Sequence, residues 1–166
     1  MISKKIASVI TSVMVFCCIV GVSLTNVKAD DSAPKSVDGS YLTSADSSTG
    51  YTPKNNERGK HLMDGQCSIS KTGTKRIYAY GSTTANHTVD VIAVIVYVDK
   101  YNEKDGKWHQ IDAFSKKVEN DYYSAISKSI QVDRGYYYRV HASHIVCMAG
   151  SPDEETFSVT NGILVP

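Results

Sequence analysis

Val89 to Val98 reads Val-Asp-Val-Ile-Ala-Val-Ile-Val-Tyr-Val, and no other stretch of the chain limits its fold so tightly. Side chains branched at Cβ are stiff and pack well on a pleated surface, so the run favours an extended strand. Its residues are apolar on both faces for most of its length. Such a strand belongs in the middle of a sheet, covered on both sides. One side faces the core. The other needs cover from loops, aromatic side chains or the N-terminal segment. A buried helix is the competing reading, and the density of β-branched residues opposes it.

The same texture runs from about His61 onward as short alternating segments separated by Gly, Asn and Asp turns. No amphipathic stretch is long enough for a helix. Gln66 to Lys71 places Cys67 and Ile69 on one face and Ser68 and Ser70 on the other. Thr72-Gly73 turns the chain into Lys75 to Tyr80, with Ile77 inward. Gly81 to Asn86 reads as a loop or ragged edge. Asn102 to Gly106 is a charged turn ending in Asp-Gly, a hairpin signal. Trp108 then opens the returning strand as a core or rim anchor, with a ligand platform as the alternative. Glu119 to Ala125 is open between loop, edge strand and helical turn. Tyr136 to Cys147 and Glu155 to Thr160 complete about seven strands, the pattern of an all-β, two-sheet antiparallel β-sandwich of immunoglobulin-like type.

Lys4 and Lys5 precede an uncharged apolar run, Ile6 to Leu24, and Val27 and Ala29 are small residues spaced for a cut before Asp30. These are the parts of a secretory signal peptide, residues 1–29. A retained anchor is the alternative, because the run approaches the length of a bilayer span. Residues 30–60 are rich in Ser, Thr, Asp, Asn and Gly, with few isolated apolar side chains, and read as a disordered linker. Residues 61–166 remain as the β-domain. Cleavage removes Lys4, Lys5 and Lys28, leaving fifteen basic residues against seventeen acidic ones. With no dense basic tract, a nucleic-acid partner is not expected. The expectation is a secreted, extracellular, monomeric protein without membrane contact after cleavage.

Cleavage also leaves two cysteines, Cys67 and Cys147. In an exported chain the pair suggests one disulfide closing a loop of about 80 residues, worth roughly 4 kcal/mol. Two buried free thiols are the alternative. The histidines are scattered, and His141 and His144, three apart on a strand, point to opposite faces. No metal or cofactor is expected. Asp153-Glu154-Glu155 lacks the alternating oxygen ligands of a calcium loop, and no Gly-x-Ser-x-Gly elbow occurs. No catalytic residue is assigned, and an enzyme is not expected. Eleven tyrosines against three phenylalanines are the one compositional bias. Tyrosine suits a sheet face with one side wet, or a binding surface. Tyr137, Arg139 and His141 share one face of their strand and, with Tyr97, form the candidate binding face.

Tyr138-Arg139-Val140-His141-Ala142 resembles the sixth-strand region of fibronectin type III-like domains, where an aromatic after a turn is followed by Arg-Val-x-Ala. That resemblance implies an immunoglobulin-like sandwich with a tyrosine hydroxyl closing a corner. Cys67-Ser68-Ile69-Ser70, Gly81-Ser82-Thr83-Thr84-Ala85, Val94-x-Val96-Tyr97-Val98, Gly135-Tyr136-Tyr137-Tyr138-Arg139-Val140 and Thr160-Asn161-Gly162-Ile163 together are similar to a family of small secreted proteins of unknown function from clostridia-like Gram-positive bacteria. This likeness implies export and a β-sandwich, and no reaction. The expected function is a non-enzymatic binding or adhesion module whose partner is an extracellular protein or glycan. The alternatives are a small secreted toxin or bacteriocin-like effector, and an exported hydrolase.

Overall fold

The computed structural model describes residues 34–53 and 59–166. Nine strands follow in chain order: β1 (Ser36–Val37), β2 (Ser40–Thr43), β3 (Ser47–Tyr51), β4 (Leu62–Gly73), β5 (Arg76–Asn102), β6 (Lys107–Gln131), β7 (Tyr136–Cys147), β8 (Glu154–Val159) and β9 (Gly162–Val165). The 27 residues of β5 would extend about 90 Å if straight. A globule of this size is only roughly 35–40 Å across, so the strand must bend.

The bend lies at Ala85–Thr88. On the facing strand β6, the register steps from Thr84↔Tyr123 to Val89↔Asp121, so four residues of β5 oppose Tyr122 alone. A bulge of this kind lengthens one strand against its partner and turns the sheet. Asn120 next to it has a left-handed φ of 55°, a conformation Asn tolerates better than most residues. Before the bend β5 pairs with β4, from Arg76 to Ala85. After it, Val91 to Lys100 pair with β7. β6 follows β5 through both halves.

The sheet therefore folds over on itself. Its order is β1-β2-β9-β7-β5-β4-β3, with β6 added on β5 and β8 on β7. It is one curled, open half-barrel. This corrects the expected two-sheet, immunoglobulin-like β-sandwich: the two layers are not separate sheets, because β5 and β6 carry the hydrogen-bond ladder from one into the other. Gly81 to Asn86 and Glu119 to Ala125, open to loop readings in the sequence, are the middles of these two long strands. Tyr138 does close a corner, its hydroxyl donating to the Asp133 carbonyl at 2.9 Å, but within this different architecture.

The expected disordered linker is also corrected. β1, β2 and β3 all lie within residues 30–60. β2 runs parallel to β9, and β3 antiparallel to β4. These strands are held less by side-chain burial than by backbone pairing and by small residues, Ser40 and Gly50, that fit against the sheet. Ser40 Oγ donates to the Thr160 carbonyl at 2.8 Å. The expected signal peptide, residues 1–29, lies outside the described residues.

Two apolar clusters fill the curl. The larger joins Ile69, Ile77, Val94, Val96, Val98, Val140 and Ile163 from both layers. The smaller, near the bend, joins Leu62, Val89, Ile92 and Val146. The layers approach so closely that side chains are absent where they cross. A Cβ on Gly81 would stand 2.5 Å from a methyl of Val96, and one on Gly50 would collide with the Val159 backbone. Val159 cannot move without breaking β8 pairing. Gly50→Ala is therefore expected to cost about 1–3 kcal/mol, whereas Gly73→Ala, whose added carbon meets nothing nearer than 3.9 Å, stays within about 0.5 kcal/mol. Urea unfolding of the two variants beside the parent checks this order.

Candidate functional site

Strand alternation places Tyr137, Arg139 and His141 on the outer face of β7, as the sequence implies. Tyr97 is the cross-strand partner of His141, and their rings stack at 4.7 Å. Arg139, however, is committed inward. Its Nε donates to Asp99 Oδ2 at 2.9 Å. The two terminal nitrogens donate to the Asp38 carbonyl, Ser40 Oγ and Asp38 Oδ2 at 3.0–3.1 Å. Trp108 lies under the guanidinium, 4.6 Å from it, and donates from Nε1 to the Val37 carbonyl. Trp108 is thus a rim anchor, and Arg139 fastens β1 and β2 to the sheet. Burial alone would raise the Asp99 carboxyl; hydrogen bonds from His141 and Arg139 hold it below its ordinary value instead.

The expected disulfide is absent. Cys67 and Cys147 are both free thiols. Cys67 Sγ contacts the Val140 carbonyl at 3.6 Å, and Val140 lies roughly 23 Å of strand from Cys147 along β7. A disulfide needs Cα atoms within about 7 Å. Burial pushes the Cys67 thiol up to about 11, so it is not a nucleophile at neutral pH. Burial and the neighbouring Asp153 raise Cys147 as well.

Strand alternation did not reveal a buried polar chain through His144. Thr83 Oγ1 donates its proton to the Ala93 carbonyl at 2.9 Å, so it must accept from His144 Nδ1, also at 2.9 Å. His144 Nε2 then accepts from Ser158 Oγ at 2.8 Å. A hydroxyl paired with an imidazole is the first requirement of a serine hydrolase. Here both residues are buried, and the group orienting the ring is a threonine. Gly65 passes directly over the ring, leaving no space for a side chain. The arrangement satisfies a core histidine and opens no route to a substrate.

The acidic run of the β7–β8 connection also has a structural role. Glu154 accepts from the backbone N–H groups of His61 and Leu62 at 2.6–3.1 Å, which seats the start of β4. Among the described residues, no group of three or more His, Cys, Asp or Glu side chains is arranged to hold a metal ion. The exposed tyrosines are dispersed over β2, β3, β5, β6 and β7 and make no single aromatic platform.

A run of connected clefts lies where the turns of the two layers meet. The connection Val132–Gly135, between β6 and β7, brings the turns together. The largest of the three clefts, about 690 Å³, includes Lys100, Lys104, His109, Ile111, Arg134 and Tyr136 in its lining. It shares Lys100 and Ile111 with a second of about 540 Å³ that reaches Lys75 and Asp133. That one shares Lys75 and Gln131 with a third of about 290 Å³ at Arg76. Lys100 Nζ lies 3.5 Å from the Tyr136 ring centre and 3.0 Å from Asp133. Five cations thus border one groove with two acids, Glu103 and Asp133, on a chain with nearly balanced charge. Residues from β4 to β7 contribute, so their proximity follows only from the fold-back of β5.

Burial holds His144 neutral, lowering its pKa from 6.5 to about 4. The native state therefore resists a proton that the unfolded chain takes up below pH 6.5. The associated stability is fully present above that pH and falls as acid carries the solution from 6.5 toward 4, by about 3 kcal/mol. Urea midpoints across this window should show the decline. His144→Gln, although less stable at neutral pH, should show a shallower slope; an unchanged slope would contradict the assignment.

No curated protein matches the chain. A family model described as "Family of unknown function (DUF6147)" matches residues 30–162, the greater part of the sequence, and the chain belongs to that family.

Proposed function

We propose that the protein is an exported, non-enzymatic module that binds an anionic glycan outside the cell. The groove carries this reading: five cations border it, an exposed isoleucine and tyrosine line it, and its continuation through three clefts that share lining residues suits an extended polymer better than a compact metabolite. Sugar rings pack on Tyr136 and Ile111, while carboxylate or phosphate groups along the chain meet Lys75, Lys100, Lys104 and Arg134. Export is supported by the leader pattern and by the start of the family match at residue 30, the first residue after the expected cut. The chemistry of a hydrolase has no comparable support: the Ser158–His144 pair is sealed in the core, and where Ser151 Oγ meets His61 Nε2 at 3.1 Å the other ring nitrogen faces His87 and no carboxylate.

The test is retention on immobilised polygalacturonate, with neutral dextran as control. Retention on the anionic polymer should weaken as salt screens the groove. Lys104→Glu combined with Arg134→Glu should abolish it. Both side chains are exposed, so unfolding should remain unchanged. Equal behaviour on the two polymers, or retention insensitive to the double variant, would overturn the proposal.

A further inference from the structure

The outer face of the second layer has little cover. In β5 after the bend, Val91, Ala93, Ile95 and Tyr97 are only half-buried. β7 adds Ile145 on the same face, and β8 adds Phe157 and Val159, which are 59% and 40% exposed. Four strands in the order β6-β5-β7-β8 thus present a largely apolar surface. At a strand spacing of about 4.8 Å and six residues of length, it measures roughly 15 by 20 Å. That footprint is at the lower end of the largest apolar patch on an ordinary monomer, about 300–600 Å² and often functional, which suits a weak, reversible contact.

We propose that this face packs against the same face of a second copy of the chain. The cross-strand rows argue for self-association. One row reads Lys117–Ala93–Ile145–Glu155, and the next Ser115–Ile95–Ser143–Phe157. A two-fold axis along the strands, between β5 and β7, lays β6 over β8 of the second copy and β5 over its β7. Lys117 then faces Glu155 of the second copy, and Glu155 faces its Lys117. Ala93 faces isoleucine, Ile95 faces serine, and Ser115 faces phenylalanine. In these two rows small residues meet large ones, as interdigitating sheets require, and the flanking charges are opposite. A two-fold interface uses the same patch twice, so this complementarity repeats. Among the described residues of one chain Lys117 pairs only with Glu119, 2.8 Å away, an exposed contact of little energetic consequence. The face shares no residue with the basic groove, so its occupant does not depend on the glycan reading.

Sedimentation velocity of the chain expressed from its full sequence, from micromolar to submillimolar concentration, should show a monomer–dimer equilibrium. Phe157→Ser should shift it to monomer. Lys117→Glu and Glu155→Lys should each raise the dimer dissociation constant about tenfold at low salt, and the two together should restore it. A strict monomer across the range overturns the proposal, whether the face stays open or another protein covers it. A dimer indifferent to Phe157→Ser, or charge swaps without mutual rescue, overturns it equally.

Discussion

Backbone pairing between β5 and β6 runs from Arg76 to Asn102, broken by the four-residue bulge at Ala85–Thr88 and by a one-residue shift between Val98 and Asp99. Everything else in the fold is arranged around that bent ribbon. Because it serves both layers, the layers cannot shear independently, and the spacing between them is set where the ribbon turns. The glycines and small residues follow from this. Where the first half of β5 crosses the second, only Gly81 fits beneath Val94 and Val96. The groove follows as well, since bending brings the start of β5 and its far end to the same end of the molecule.

A curl this thin cannot keep every polar group in water, and it pairs those it encloses. Among the described residues no buried side-chain nitrogen or oxygen lacks a hydrogen-bond partner. Arg139 and Asp99 are matched, the Thr83–His144–Ser158 chain is complete, and Thr160 Oγ1 accepts from the Val140 N–H. Leaving one such group unpaired costs more than the pair contributes. These residues therefore define which strand lies against which, and Arg139 does so by gripping β1, β2 and β5 together.

Much of the strand content was legible from alternation. Val89–Val98, Tyr136–Cys147 and the Asp105-Gly106 hairpin all lie where their residues imply. The sandwich was not correct, because Gly81–Asn86 looks like a break by composition. Its small and β-branched residues are instead what a strand needs to pass through a tight bend. The linker reading failed for a related reason: Ser, Thr and Gly bury little apolar surface, yet β2 gains its order from backbone bonds to the distant β9 and β3 from those to the neighbouring β4. The disulfide rested on cysteine count, which carries no geometry. Tyr97, Tyr137, Arg139 and His141 share a face as alternation implies, but Arg139 is taken up by Asp99, Asp38 and Ser40; the basic groove was invisible because its cations come from separate turns.

β2 pairs with β1 beside it and joins the rest of the sheet through β9, at Gly162 and Ile163, some 120 residues later in the chain. A polypeptide appearing N-terminus first must hold Ser36–Thr43 without that partner until β9 emerges. Contacts so distant in sequence close slowly. Docking of β2 thus waits on the delivery of β9, and a chain truncated before β9 would leave Ser40–Thr43 without that neighbour.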